Sequence, residues 1–190
     1  MRVKVCGMRR ADNIAAICEL PIDFIGFIFY PASPRFCAGV SLREAAKNIP
    51  PHIRKVGVFV NESAENIVQV QRDYSLEMLQ LHGSESPAMC RDLRTATRCE
   101  IIKAFAIATA DDFAQTKSYA GFADYFLFDT KTEKHGGSGQ KFDWQTLGSY
   151  CGDTPFFLSG GIRLDDAETL KTLAHPRLYA ADLNSGLEVE

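Results

Sequence analysis

The chain has 190 residues, of which 46% are hydrophobic and 24% are charged, so it can bury one sizeable core. Its formal charge of -3 provides no basic surface for a phosphate backbone, and we expect no nucleic-acid partner. The amino terminus enters an apolar strand pattern without a signal or membrane-spanning segment, so we expect a cytoplasmic protein with no membrane partner. Its six scattered cysteines lack metal-ligand spacing, and we expect free thiols and no metal site.

Short apolar runs alternate with helix-like segments along the whole chain. The runs cover residues 3–6, 24–29, 55–60, 77–81, 101–106, 125–128, 156–158 and 178–183. Near-continuous apolar strands that alternate with helices are typical of a parallel sheet covered on both faces. Eight such units predict a (β/α)8 TIM barrel that forms a single domain over residues 1–190. An open doubly wound sheet is the structural alternative.

The segments between the runs carry helix-opening signals and helical periodicity. The opening signals are Ser41-Leu42-Arg43-Glu44, Ser86-Pro87 and Thr109-Ala110-Asp111-Asp112. Apolar residues recur at helical spacing over residues 12–20, 64–72 and 164–173. After Gly186 only four residues remain, too few for a closing helix, so we expect the barrel to lack a full last helix.

The active site of a TIM barrel lies at the carboxyl ends of the strands, so the residues that close each run are informative. Cys6 closes the first run and could act as a general base or a nucleophile, or it could be a small buried packing residue. Asp129 follows an apolar run, and burial favours the protonated form of a carboxyl group, which could then donate a proton. The alternative is that Asp129 is a cap or a partner of Lys131.

Two further side chains stand at strand ends. Arg35 follows two prolines in a stiff loop, where a guanidinium can bind a carboxylate with two parallel hydrogen bonds, although a surface arginine is the simpler interpretation. His82 closes the fourth run, and we assign it no role because a His-Gly strand end is as often a structural turn.

Glycine-rich loops follow the last two strands. Ser159-Gly160-Gly161 and Asn184-Ser185-Gly186 are placed where TIM barrels commonly bind phosphate through backbone N–H groups. Gly136-Gly137-Ser138-Gly139, behind Asp129, does not match the spacing of a nucleotide-binding motif. We interpret that third loop as a lid over the site.

The order of these motifs resembles the phosphoribosylanthranilate isomerase family of tryptophan biosynthesis. The matching stretches are Lys4-Val5-Cys6-Gly7; Gly26-Phe27-Ile28-Phe29-Tyr30 with Ser33-Pro34-Arg35; Val56-Gly57-Val58-Phe59-Val60-Asn61; Leu79-Gln80-Leu81-His82-Gly83; Asp129-Thr130 with Gly136-Gly137-Ser138-Gly139 and Phe142-Asp143-Trp144; Leu158-Ser159-Gly160-Gly161; and Asp182-Leu183-Asn184-Ser185-Gly186-Leu187-Glu188. The resemblance covers nearly the whole chain.

The resemblance implies an Amadori rearrangement that converts N-(5-phosphoribosyl)anthranilate, an aminoaldose, into an open-chain aminoketose. It implies that Cys6 is the general base, that Asp129 is the general acid and that Arg35 binds the anthranilate. No metal or organic cofactor is implied. The expected partner is the phosphosugar-anthranilate substrate, and the chain is expected to be a monomer or a homodimer.

By the same resemblance, the phosphate-holding positions are Gly160, Gly161, Ser185 and Gly186. Two departures stand out. Ser138 replaces the threonine of the family's GGTG pattern, and the chain stops where the family continues into a last helix.

Two other functions are alternatives. A different phosphosugar isomerase, epimerase or lyase would share the barrel and the phosphate loops, but it would need another acid–base pair, such as lysine or glutamate at strand ends. A catalytically impaired ligand-binding or assembly subunit, completed by a partner that supplies the last helix, would explain the short carboxyl terminus.

Overall fold

The computed structural model describes residues 1–37, 39–131 and 141–184, without the side chain of Val40. Eight parallel strands close into a barrel in chain order, and β1 pairs with both β2 and β8. The strands are β1 Arg2–Cys6, β2 Phe24–Ile28, β3 Arg54–Phe59, β4 Met78–Leu81, β5 Glu100–Ile107, β6 Tyr125–Thr130, β7 Phe156–Leu158 and β8 Leu178–Leu183. The predicted TIM barrel is therefore confirmed, and the open sheet is excluded.

The apolar runs form strands because both of their faces are covered. One buried cluster, which we place inside the barrel, takes one or two residues from each of seven strands, namely Phe24, Val56, Met78, Ile102, Ala104, Leu127, Phe157 and Ala180. A larger cluster packs the outward-facing side chains against the surrounding helices. Since strand side chains alternate between faces, every second residue points into the barrel, and the last of these on each strand faces its open end.

Five α-helices surround the strands within the described residues: α1 Ala11–Cys18, α2 Val40–Lys47, α3 Ala64–Tyr74, α4 Pro87–Thr97 and α5 Ala167–Thr172. The Ser86-Pro87 prediction is confirmed, since the Ser86 side chain accepts a hydrogen bond from Met89 N at 3.2 Å and Pro87 is the first helical residue. The Ser41 prediction is wrong, because α2 already begins at Val40.

The predicted helix after Thr109 is a 3₁₀ segment, Ala110–Tyr119, rather than an α-helix. Within it the Thr116 hydroxyl donates to Phe113 O at 2.7 Å and the Ser118 hydroxyl donates to Gln115 O at 3.0 Å. Asp112 still opens the segment, because its carboxylate accepts from the backbone N–H groups of Ala108 and Thr109, both at 2.9 Å.

The segment predicted as one helix over residues 164–173 divides into a 3₁₀ turn, Leu164–Asp166, and α5. Another 3₁₀ segment, Trp144–Ser149, precedes β7. Asn184, one residue after β8, is the last described residue, so the prediction of an absent last helix lies outside the described part of the chain. No helix among the described residues is long and apolar enough to cross a membrane.

Candidate active site

Cys6 ends β1 inside the mouth of the barrel and is 4% exposed. Its neighbour in the strand register is Gly26 of β2, and a Cβ atom added to Gly26 would lie 2.6 Å from the Cys6 Sγ. The carbonyl of Gly26 also accepts hydrogen bonds from Gly7 N at 3.0 Å and Met8 N at 3.1 Å. The sulfur therefore lies against bare backbone, at a spot that only glycine leaves open.

A buried ion pair lies one layer below Cys6. Lys4 precedes Cys6 by two residues, so both side chains point into the barrel. Its Nζ donates to both carboxylate oxygens of Asp182, at 2.8 and 2.9 Å, and Asp182 is its register partner on β8. Burial lowers the pKa of Lys4, but the Asp182 carboxylate and the Cys6 sulfur outweigh burial and raise it overall. Lys4 is therefore an ammonium ion with no solvent exposure.

Opposing influences act on the Cys6 thiol. Burial raises its pKa, and burial is the largest influence. The Lys4 ammonium lowers the pKa through its charge and a hydrogen bond, while the Asp182 carboxylate raises it. The net result is a pKa above that of an ordinary cysteine. Lys4 is thus the main group in the barrel that favours the thiolate.

Asp129 lies on β6 with an inward side chain that is 14% exposed. Its Oδ1 accepts from the backbone N–H of Thr130 at 2.8 Å, and its Oδ2 lies 3.4 Å from His82 Nε2. Lys131, the alternative partner considered for Asp129, instead forms an ion pair with Asp112 at 3.0 Å. The Asp129 carboxyl group therefore faces the barrel mouth with histidine as its neighbour.

His82, to which we assigned no role from the sequence, adjoins Asp129. The Nε2 of Gln80 lies 2.9 Å from His82 Nδ1. In this amide orientation Nδ1 accepts the hydrogen bond, which leaves the proton of a neutral imidazole on Nε2, the atom that faces Asp129. The available signal was periodicity: Gln80 and His82 are two residues apart, so they share the inward face of the fourth run.

Asp182 connects the two halves of the site. The pKa of this carboxyl group is influenced by Lys4 and also by Asp129 and His82, so all of them share one electrostatic environment. Cys6 and Asp129, which are 123 residues apart in the sequence, therefore face one polar cluster at the carboxyl ends of β1, β4, β6 and β8. Asp182 belongs to the last of the motifs that match the family, but no sequence signal predicts its ion pair with Lys4.

Arg35 lies in the loop after β2 and is half-buried. Its backbone N–H donates to the Ser33 hydroxyl at 3.1 Å. A Cβ atom added to Gly7 would lie 2.7 Å from Arg35 Cδ and 3.3 Å from the Asn184 side-chain oxygen, so both side chains cross the turn that follows Cys6. That Asn184 oxygen is buried and accepts no hydrogen bond from the described part of the chain, and no sequence signal distinguishes Asn184 from the rest of its loop.

Gly160 and Gly161 follow β7 in left-handed backbone conformations, with φ of +96° and +62°. A Cβ atom at Gly160 would lie 2.8 Å from Thr130 N and 3.0 Å from Asp129 Oδ1, so this loop passes close to the end of β6. Ser185, Gly186 and the Gly136-Gly137-Ser138-Gly139 stretch lie outside the described residues.

A thiol, a carboxyl group and an imidazole share this barrel mouth, beside a glycine loop that can approach a ligand closely. Among the described residues no three His, Cys, Asp or Glu side chains converge as metal ligands. The groups present can accept and donate protons. Fold and site together are those of a TIM-barrel enzyme suited to acid–base catalysis.

Comparisons with known proteins identify the enzyme family to which the chain belongs. Residues 3–190 match the family model of N-(5'-phosphoribosyl)anthranilate isomerase. An isomerase of that name from Parabacteroides distasonis is 48% identical over 193 residues, which cover 100% of this chain and 86% of the relative. The chain belongs to the N-(5'-phosphoribosyl)anthranilate isomerase family. Membership confirms the family, the enzyme class and the place in tryptophan biosynthesis expected from the motifs.

Solved structures agree with this assignment. The phosphoribosylanthranilate isomerase of Thermotoga maritima superposes with a TM-score of 0.87 at 33% identity, over 100% of this chain and 90% of the relative. A second isomerase structure, with a TM-score of 0.85 at 31% identity and the same coverage of both chains, holds reduced 1-(o-carboxyphenylamino)-1-deoxyribulose 5-phosphate. A further Thermotoga maritima structure, with a TM-score of 0.81 at 32% identity over the same shares, is a monomeric form of a dimeric isomerase.

Proposed function

We propose that this chain converts N-(5'-phosphoribosyl)anthranilate into 1-(2-carboxyphenylamino)-1-deoxyribulose 5-phosphate, with Cys6 as general base and Asp129 as general acid. One observation carries the assignment of roles: both groups end inward faces of barrel strands and share the cluster centred on Asp182. The compound held by the solved relative is a reduced form of this product, which supports the choice of substrate.

The reaction needs one proton donor and one proton acceptor at the same pH. Protonated Asp129 donates to the ribose ring oxygen as the C1–O bond breaks, which gives an open-chain protonated Schiff base. The Cys6 thiolate then removes the proton from C2, and the electron pair forms the C1–C2 double bond of an enolamine. Addition of a proton at C1 and loss of the C2 hydroxyl proton give the ketose, so the substrate neither gains nor loses atoms overall.

The neighbours of Asp129 orient its carboxyl group. His82 Nε2 lies 3.4 Å from Oδ2, while Thr130 N holds Oδ1 at 2.8 Å. These contacts fix the plane of the carboxyl group. We assign His82 to the orientation of Asp129 and Gln80 to the orientation of His82, because an acid that is held in place avoids reorganisation during the reaction.

The remaining predicted residues hold the two ends of the substrate. Arg35, whose side chain crosses Gly7 beside Cys6, is assigned to the anthranilate carboxylate. Gly160 and Gly161 are assigned to the phosphate, since backbone N–H groups bind phosphate where no Cβ atom blocks the approach. Ser185 and Gly186 have the same predicted role on the second loop, outside the described residues.

Several expectations from the sequence stay predictions. They are a single domain over residues 1–190, a cytoplasmic location, a monomeric or homodimeric state, and a reaction without metal or organic cofactor. The dimeric relative supports the homodimer of the two states. The alternative of a different phosphosugar enzyme is disfavoured by the family assignment. The alternative of an impaired binding subunit makes a different prediction, namely the absence of turnover by the isolated chain.

The test is a fluorescence assay with freshly prepared N-(5'-phosphoribosyl)anthranilate. We expect Cys6→Ala and Asp129→Ala each to lower kcat by at least about a hundredfold, because general acid or base catalysis contributes roughly 10²–10⁴-fold. Arg35→Ala should act mainly by raising KM. Cys90→Ala is the matched control, since Cys90 is a fully buried free thiol on α4, away from the barrel mouth.

Near-normal kcat in either variant would remove that residue from the mechanism. A folded wild-type chain without turnover would instead support the binding-subunit alternative.

A further inference from the structure

The pair formed by Lys4 and Asp182 is not used in the proton transfers proposed above. Charged pairs are costly to bury, because two ions lose their hydration and recover it only through each other. The Lys4 side chain is nevertheless 0% exposed and Asp182 is 5% exposed, next to the apolar cluster inside the barrel. An apolar pair would fill the same space without that cost. The pair therefore calls for a functional explanation.

The position of the Lys4–Asp182 pair next to Cys6 supplies a functional explanation. Lys4 and Cys6 are inward-facing residues of the same strand, and the Lys4 ammonium interacts with the Cys6 sulfur as well as with Asp182. The sulfur cannot move toward β2 because it would meet the backbone of Gly26. The sulfur therefore stays near the Lys4 ammonium. Lys4 thus provides a fixed positive charge beneath a buried thiol.

We propose that Lys4 is a positioning residue that increases the fraction of Cys6 present as thiolate, and that Asp182 limits how strongly it does so. This inference rests on the proposed role of Cys6 as the general base. Burial alone would keep the sulfur protonated, and a protonated thiol cannot remove the C2 proton. A strand-borne ammonium stabilises the anion without entering the reaction, because it stays below the sulfur and keeps its own proton.

The charged groups around Cys6 determine whether each substitution should raise or lower the pKa of its thiol. Asp182 on β8 opposes the thiolate. Gly26 on β2 has no side chain, and the turn after Cys6 is crossed by Arg35. Asp129 and His82 act on Asp182 from β6 and from the end of β4. Of these groups, Lys4 has the largest influence that lowers the pKa of the thiol, and Asp182 the largest charge that raises it.

The experiment measures the pKa of Cys6 in three variants: Lys4→Met, Asp182→Asn and the double variant. The rate of alkylation by iodoacetamide is followed against pH by mass spectrometry of the tryptic peptide that contains Cys6. Lys4→Met should raise the pKa of Cys6 by about one pH unit or more, since a nearby opposite charge shifts a pKa by roughly 1–3 units. The double variant should raise it by less, because it also removes the Asp182 carboxylate that opposes the thiolate. Asp182→Asn should lower it.

The opposite directions of the two pKa shifts separate an electrostatic role of Lys4 from a structural one. A general loosening of the barrel would shift the pKa of Cys6 in the same direction in both single variants. The exposed Cys151 is the internal control, and its alkylation curve should be the same in every variant. The acid limb of kcat/KM should move in the same direction as the Cys6 pKa, with little change in KM. If Lys4→Met fails to fold with Asp182 unpaired, the double variant and Asp182→Asn carry the test.

An unchanged Cys6 pKa in the Lys4 variants, or a raised pKa in Asp182→Asn, would overturn the inference. Normal turnover by Cys6→Ala would instead overturn the proposed role of Cys6, and the alkylation result would still report whether Lys4 acts on the thiol.

Discussion

At the scale of single residues, the chemistry of this site depends on what surrounds each proton-transfer group. Cys6 is one of several buried cysteines, and it lies at the barrel mouth with the Lys4 ammonium below it and Gly26 beside it. Asp129 differs from the surface carboxylates in facing an imidazole. Residue type alone does not separate Cys6 from Cys90 or Cys99, because burial raises the pKa of all three thiols.

The first prediction at this scale concerns pH. The mechanism needs Cys6 deprotonated, and its pKa is raised by burial, so activity should increase with pH as the thiol ionises. We expect the acid limb of kcat/KM to continue rising above pH ~8.5, where an ordinary cysteine is half ionised. Initial rates at low substrate concentration, measured across the pH range, give this limb. A profile that is flat from neutral pH upward would contradict it.

The second prediction concerns Gly26→Ala. The added Cβ atom would lie 2.6 Å from the Cys6 Sγ and 3.1 Å from its Cα, so either the thiol or the strand must move. We expect a loss of about 1–3 kcal/mol in the free energy of unfolding, as is common for overpacked cores. A misplaced base should also lower kcat by at least about tenfold, since small displacements in an active site can cost roughly a hundredfold.

Gly148→Ala is the control for Gly26→Ala, because an added Cβ atom there meets nothing within 4 Å. Chemical denaturation and kcat are measured for both variants. Unchanged kcat in Gly26→Ala would show that the close approach of Gly26 is not needed to place the sulfur.

At the scale of elements, the strand ends deliver the site and the loops complete it. β1 and β6 bring Cys6 and Asp129 to the mouth, and the turn after β7 approaches Asp129 from the side. The helices between them have a supporting role, and two of the segments predicted from helical signals are wholly or partly 3₁₀. Replacing part of an α-helix by 3₁₀ turns on the outside leaves the strand ends in place, because closure is maintained by the strand ladder.

The prediction for this scale is Gly160→Ala. Gly160 has φ of +96°, and an added Cβ atom would lie 2.8 Å from Thr130 N and 3.0 Å from Asp129 Oδ1. The loop must shift away from β6, so we expect KM for the phosphorylated substrate to rise by about tenfold or more, the loss of roughly 1.4 kcal/mol of binding. Steady-state kinetics give the separation of KM from kcat.

Gly121→Ala is the matched control for Gly160→Ala. Its φ is +81°, but nothing lies within 4 Å of the added atom, so it reports the cost of backbone strain without a collision. Both variants should lose stability, and KM should change only in Gly160→Ala. An equal change in KM in both would show that the loop after β7 has no direct role in binding.

At the scale of the whole molecule, the closed barrel holds the polar site above an apolar interior. The interior cluster runs around the barrel from Phe24 to Ala180, and the Lys4–Asp182 pair, two residues beyond that layer on β8, separates it from the mouth. Closure between β1 and β8 creates this pair, since the two residues are 178 positions apart in the sequence. The architecture therefore places a charge under Cys6 that no local segment contains.

The prediction for this scale is Leu127→Ala. Leu127 is fully buried inside the barrel, and its truncation should lower the free energy of unfolding by about 2–5 kcal/mol. Denaturant titration measures this change. Leu164→Ala is the control, because Leu164 is 76% exposed and should change stability by less than about 0.5 kcal/mol. Similar small effects in both variants would contradict the placement of Leu127 in the packed interior.

The sequence by itself determined the barrel, its strand ends and the family. Eight apolar runs separated by helical segments define the strand order, and period-two alternation places Cys6, His82, Asp129 and Asp182 on inward faces. The positions of Cys6, Asp129, Arg35 and Gly160 at strand ends and loops could all be predicted, because each belongs to a local motif.

Only the tertiary structure decided which of these groups meet. Register and barrel closure bring Lys4 to Asp182 and His82 to Asp129. They also set the bare backbone of Gly26 against the Cys6 sulfur. A single sequence contains no signal for such contacts, because they join residues of different strands through hydrogen-bonded pairing rather than through any local pattern. The proton-transfer groups can thus be predicted from the sequence, whereas the charged groups that change their pKa values are brought beside them only by the alignment of the strands.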